Sequence, residues 1–107
     1  MQQTSLLFIP FPHSNGSTSD TNSFNQLFQS EAPQIMELSR TTKIKGGSLS
    51  SFRPYIRTLS TRRGSQIRSV WSDPFNQNYS IPSIAIESEI AATIWNYIGN
   101  IHVKILQ

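Results

Sequence analysis

Cysteine is absent from this 107-residue chain, and charged residues make up only 14% of it. The absence of cysteine excludes disulfides, thiolate chemistry and cysteine-based metal sites. The apolar fraction of 36% is low as well, since ordinary globular domains have roughly 45–50% apolar and about 25% charged residues. Serine, threonine, asparagine and glutamine fill the difference. This neutral, hydrogen-bonding composition predicts a chain that is either partly disordered or covered by a partner in its working state.

Long apolar runs and N-terminal positive charges are also missing. No run of about 18 apolar residues occurs, because Glu87 and Glu89 interrupt the most apolar segment, so no transmembrane helix is expected. The first basic residue is Arg40, which excludes the charged start of a secretory signal and the arginines of a mitochondrial transit peptide. We therefore expect one small cytoplasmic domain.

Motifs for catalysis or cofactor binding are absent too. There is no P-loop and no G-x-G-x-x-G pattern, and the segment Gly46 to Ser50 lacks the closing glycine of a nucleophile elbow. The two histidines lie far apart in the sequence. Glu87 and Glu89 are two positions apart, which on a helix points them in different directions and disfavours an acid/base pair. The sequence predicts no enzyme, no cofactor and no metal site.

Residues 1–40 are predicted to form a polar, partly disordered N-terminal arm. A short helix is expected over residues 21–30, because Phe24, Leu27 and Phe28 follow the i, i+3, i+4 spacing of one apolar stripe. Pro33 separates it from a second turn that carries more apolar residues. The arm therefore contains a broken amphipathic helix from about Thr21 to Ser39.

Residues 41–107 are predicted to form a small α+β domain that begins with a basic β-hairpin. Residues 54–60 and 65–71 alternate β-branched and aromatic residues with arginine, serine and threonine. Between them lies Gly64, which can adopt a positive φ, so the turn is expected near Arg62 to Gly64. In the second arm, Ile67, Ser69 and Trp71 share one face of the strand.

The C-terminal segment predicts a helix followed by a short final strand. Apolar residues from Ile86 recur at steps of four and three, which is one face of a helix, and Gly99 is a natural stop. After Gly99, Ile101, Val103 and Ile105 change to period two, which predicts the strand. The helix cannot stand alone, so its isoleucine face must pack on the strands, on the Phe24 helix or on another protein.

Positive charge is concentrated between Arg40 and Arg68. This stretch holds eight of the nine basic residues and no acidic residue, whereas the rest of the chain has a net charge of −5. Arginine forks suit phosphate or carboxylate, and neighbouring aromatic rings stack on bases at single-stranded nucleic-acid surfaces. The predicted anion-binding residues are Lys43, Lys45, Arg53, Tyr55, Arg57, Arg62, Arg63, Arg68 and Trp71.

These observations favour a small non-enzymatic binding protein for a polyanion, above all nucleic acid. The main alternative is an accessory subunit that docks on an acidic surface of a larger complex, with the face formed by Ile86, Ile90, Ile94 and Ile98 as a second contact. A solvated basic surface without a partner and an anionic membrane surface remain open. Arg62 to Ser65 also resembles a basophilic kinase site.

Overall fold

A computed structural model describes residues 16–17, 21–44, 48–72 and 79–106 of the chain. Two single 3-10 turns, Gln29–Glu31 and Leu49–Ser51, precede the second and third helices. In chain order the elements are β1 (Gly16–Ser17), α1 (Thr21–Phe28), α2 (Ala32–Thr42), α3 (Phe52–Ser60), β2 (Gln66–Ser72), β3 (Ser80–Ala85) and α4 (Ile86–Leu106). The predicted α+β class is confirmed.

The broken helix near the N-terminus is also confirmed, as α1 and α2. Gln29 has a φ of 54°, a left-handed conformation that cannot continue a right-handed helix. Pro33 lies in the first turn of α2, where its missing N–H leaves no helical hydrogen bond unmade. Phe24 and Phe28 on α1 are buried, and their ring centroids lie 5.8 Å apart.

The predicted first arm of the basic hairpin is wrong, because this segment forms helix α3. Phe52, Tyr55 and Leu59 are buried along one side of α3, and the intervening arginines are exposed. The steps of three and four between these buried residues match the period of a helix and not the alternation of a strand. Gly64 does have a positive φ, 86°, but its turn joins α3 to β2 instead of joining two strands.

A three-stranded antiparallel sheet carries β2 in its centre, between β1 and β3. Trp71 pairs with Gly16 on one side and with Ile81 on the other. The hairpin of the structure is therefore β2–β3, with an irregularity between Gln66 and Ser69. The three residues predicted to share one face of this strand, Ile67, Ser69 and Trp71, do so, and that face of β2 is buried.

The predicted final strand is wrong, because α4 continues through Gly99 to Leu106. A glycine inside a helix costs only about 1 kcal/mol relative to alanine. The side chain of Asn100 donates a hydrogen bond to the carbonyl of Asn96 at 2.9 Å, which supports the helix on either side of Gly99. Among the described residues, no helix combines the length and the apolar character needed to cross a membrane.

One hydrophobic core joins elements from both sides of residue 40. The helices of the predicted arm therefore pack with the predicted domain, and the predicted boundary falls inside the packed unit. The rest of the arm, residues 1–15 and 18–20, lies outside the described residues. The core consists of Phe24, Phe28, Ala32, Ile35, Tyr55, Leu59, Ile67 and Ile86.

Candidate polyanion-binding surface

The predicted anion-binding residues separate into exposed and buried groups. Lys43, Tyr55 and Trp71 are buried, with exposed fractions of 2%, 0% and 3%, so they cannot touch a polyanion at the surface. Lys45 lies outside the described residues. The exposed group consists of Arg53, Arg57, Arg62, Arg63 and Arg68.

The three buried residues surround the carboxylate of Glu89 on α4. Its Oε2 accepts hydrogen bonds from the Lys43 ammonium and from the Tyr55 hydroxyl, the latter at 2.6 Å. Its Oε1 accepts from Ser69 at 2.6 Å and from the Trp71 indole at 2.8 Å. Glu89 therefore connects the end of α2 to α3, β2 and α4 through four donors.

Charge compensation makes this burial possible. Burial lowers the pKa of the Lys43 ammonium, and the neighbouring carboxylate of Glu89 opposes that shift. Burial alone would raise the pKa of Glu89, but Lys43 and the hydroxyl donors outweigh it and hold this pKa below its ordinary value. The Lys43 ammonium also lies 4.7 Å from the Trp71 ring centroid and 5.3 Å from that of Tyr55. The cluster is enclosed by protein and therefore acts in the fold.

Glu89 belongs to a polar stripe that the sequence interpretation missed. Glu89, Thr93, Asn96 and Asn100 recur every three or four residues along α4, and all four are buried. Asn96 donates a hydrogen bond to the carbonyl of Thr42 at 3.4 Å, one of the terminal carbonyls of α2 that lack a helical partner. The stripe was visible as a helical period, but a polar period is ordinarily assigned to solvent.

The isoleucine face of α4 therefore turns outward along most of its length. Ile86 is buried and Ile90 is half-buried, as predicted for a core face. Farther along, Ile94, Ile98 and Ile105 are 40%, 50% and 75% exposed. The predicted packing of this face on the chain's own strands and helices is therefore wrong for Ile94 and Ile98, because the opposite, polar face fills that space. Its packing on another protein stays a prediction.

The exposed arginines lie along α3, in the turn after it and on β2. Arg62 places its guanidinium 5.7 Å from the ring centroid of Phe28, and its Nε donates to the carbonyl of Leu27 at 3.5 Å. Arg68 donates its backbone N–H to the hydroxyl of Ser23 at 3.3 Å. The two arginines thus contact α1 at points four residues apart, about 6 Å along the helix axis.

A polar groove lies between α1 and the start of β2, beside these two contacts. It consists of two adjoining cavities of about 280 and 380 Å³ that share Ser23, Gln26 and Gln66. Arg68 and Ile84 line one end, and Leu27, the contact of Arg62, lines the other. The groove thus presents hydroxyl and amide groups, with an arginine near each end.

The surface keeps its positive charge because its arginines are not neutralised. Among the described residues, the ion pairs join Arg40 to Glu37 at 2.5 Å and Lys43 to Glu89, and neither involves the exposed group. The carboxylate of Glu87 interacts electrostatically with one member of the exposed group, Arg63. The backbone N–H of Gly64, bound to this carboxylate at 2.9 Å, and then Arg63 hold the pKa of Glu87 below its ordinary value.

The described residues were also compared with the ligand sets of metal sites. Within residues 16–17, 21–44, 48–72 and 79–106, no group of three histidine, aspartate or glutamate side chains is placed to hold a metal ion.

Similarity to known proteins assigns no family to this chain. No protein-family model matches its sequence, and no curated protein or solved structure shows significant similarity to it.

Proposed function

We propose that this protein is a non-enzymatic binding protein that holds the phosphates of nucleic acid through its exposed arginines. The observation that carries the proposal is the polar groove between α1 and β2, with Arg68 at one end and Arg62 near the other. Neither arginine forms an ion pair with a carboxylate of the described residues. A planar guanidinium binds phosphate oxygens through two parallel hydrogen bonds.

The burial of the aromatic residues limits the proposed binding to contacts with phosphate. Phe52 stacks on Tyr97 with ring centroids 5.2 Å apart, and Tyr55 and Trp71 lie in the interior. Base stacking on these rings is therefore not part of the proposal. Contacts to phosphate carry no sequence information, so we expect weak sequence preference and strong dependence on salt. Five arginine contacts with a single strand give a slope of log K against log salt of about −3.5.

The cytoplasmic location expected from the sequence belongs to the same proposal. The cytoplasm contains RNA, and proteins there rarely depend on disulfides, which this chain cannot form. Immunofluorescence of the tagged full chain checks it, and a tagged protein confined to a membrane compartment would contradict it.

Binding to a short, labelled single-stranded RNA of mixed sequence tests the proposal by fluorescence anisotropy. We expect Arg62→Gln/Arg68→Gln to weaken binding about tenfold or more and to reduce the salt slope by about 1.5. Arg40→Gln/Lys104→Gln is the matched control, because it removes the same charge away from the groove. The control should retain most of the affinity.

Two results would contradict the proposal. Equal losses in both double variants would show that net charge alone attracts the RNA. Competition by polyglutamate as strong as competition by unlabelled RNA would favour the alternative, an accessory subunit docked on an acidic protein surface.

A further inference from the structure

The outer side of α4 carries an apolar stripe with the spacing of a coiled-coil seam. Its members follow steps of four and three, which keeps them on one side of a helix that pairs with another helix. Ile94, Ile98 and Ile105 are exposed, and Ile101 is half-buried. We call this face the outer stripe. It consists of the apolar residues Ala91, Ile94, Ile98, Ile101 and Ile105, with Glu87 at its N-terminal end.

The outer stripe is available because the protein's own core lies on the opposite side of the helix. Glu89, Thr93, Asn96 and Asn100 bury that side and fix the rotation of α4 through the hydrogen bonds of Glu89. From Glu87 to Ile105 the stripe extends for 18 residue steps, about 27 Å. That length is sufficient for continuous helix-to-helix packing.

The ends of the stripe carry opposite charges, which selects the partner and its direction. Glu87 lies at the N-terminal end and Lys104 lies next to Ile105 at the C-terminal end, and both are exposed. Parallel pairing of two copies would bring like charges together at each end. Antiparallel pairing places Glu87 beside the second copy's Lys104 and aligns position 87 with 105, 91 with 101 and 94 with 98. The stripe is thus complementary to itself.

We propose that the protein forms a homodimer in which two α4 helices pack antiparallel along the outer stripe. The proposal does not depend on the proposed function, because no arginine of the exposed group belongs to the outer stripe. The dimer would bury the isoleucines that the monomer leaves exposed, and those isoleucines are the apolar contacts of the seam.

Analytical ultracentrifugation of the full chain over a range of concentrations tests the assembly. We expect a monomer–dimer equilibrium, and Ile94→Glu/Ile98→Glu should raise its dissociation constant at least about a hundredfold, since buried carboxylates would face each other. Circular dichroism should be unchanged, because both side chains point away from the core. Ile84→Glu is the matched control: Ile84 is 55% exposed on β3, outside the stripe, and this variant should still dimerise.

Cysteine cross-linking tests the direction, and the native chain has no cysteine to interfere. A mixture of the Ala91→Cys and Ile101→Cys proteins should form a mixed disulfide dimer, because these positions face each other. Ala91→Cys alone should not cross-link efficiently. Self-cross-linking of Ala91→Cys without the mixed product would overturn the antiparallel arrangement.

Two further results would overturn the dimer itself. One is a wild-type chain that stays monomeric at every concentration. The other is a monomer that binds phosphatidylcholine vesicles and loses this binding in Ile94→Glu/Ile98→Glu, because a lipid surface would then cover the outer stripe.

Discussion

The two sides of helix α4 differ from those of an ordinary surface helix, because the polar side is buried and the apolar side is exposed. The inner side is polar and buried, with Glu89, Thr93, Asn96 and Asn100. The outer side is apolar and largely exposed, and Ile94 and Ile98 lie in its centre. In an ordinary amphipathic helix the apolar stripe faces the core. The comparison teaches that a helical period identifies the helix, whereas the groups on neighbouring elements decide which side is buried.

The polar side is buried because an unpaired Lys43 charge would cost more free energy than the exposure of three isoleucines. Removing the partner of a buried charge costs about 3–5 kcal/mol, and the Lys43 ammonium depends on Glu89 for its charge partner. Leaving the three isoleucines 40%, 50% and 75% exposed forfeits about 3 kcal/mol, at about 2 kcal/mol for each fully buried side chain. The hydrogen bond of Asn96 to the end of α2 adds to the polar side.

The largest expected effect is on the inner side, at Glu89. Glu89→Ala leaves the Lys43 ammonium buried without a counter-charge, and we expect a loss of about 3–5 kcal/mol in the free energy of unfolding, measured with urea. Lys43→Met/Glu89→Gln removes both charges but keeps an amide oxygen as an acceptor for the buried donors around position 89, and it should recover part of that loss. Glu31→Ala, at an exposed carboxylate before α2, is the control and should change stability little. A Glu89→Ala protein as stable as wild type would show that the cluster contributes nothing.

Acid should weaken the same inner side. The pKa of Glu89 is below its ordinary value in the folded protein, and glutamate in an unfolded chain has a pKa of about 4.3. The stabilisation is therefore complete above about pH 4.3 and is lost as the pH falls through the folded-state pKa. Urea titrations between about pH 6 and pH 3 should show a smaller acid loss for Glu89→Gln than for the wild-type chain. Equal pH dependence in the variant and the wild type would assign the acid sensitivity elsewhere.

The smallest effects compare neighbouring positions on the two sides. Asn96→Ala removes the donor to the Thr42 carbonyl and should cost about 1–2 kcal/mol. Ile98→Ser, on the outer side, should lower the free energy of unfolding of the monomer by about 1 kcal/mol at most, because this side chain is already 50% exposed. Both are measured by urea at low protein concentration, where the monomer prevails. A larger loss for Ile98→Ser than for Asn96→Ala would reverse the comparison.

Features set by neighbouring residues were predictable from the sequence. The break between α1 and α2, the positive φ of Gly64, the common face of Ile67, Ser69 and Trp71 on β2 and the existence of α4 all follow from local spacing and turn chemistry. Helix α3 was predictable in the same way and was missed: Phe52, Tyr55 and Leu59 follow steps of three and four, but the β-branched and aromatic content of the segment indicated a strand. The burial of Lys43 depends on Glu89, which lies 46 residues away, and no local pattern contains that partner.

The hydrogen-bond partners of Glu89 are distant from it in the sequence, and this distance affects the kinetics of folding. Its partners Lys43, Tyr55, Ser69 and Trp71 lie 46, 34, 20 and 18 residues away. Contacts of this kind require several loops to close first, so we expect them to form after the transition state. Their loss should then speed unfolding more than it slows folding, which the two arms of a chevron plot for Glu89→Gln would show. The carboxylate would govern how long the native state lasts rather than how fast it forms.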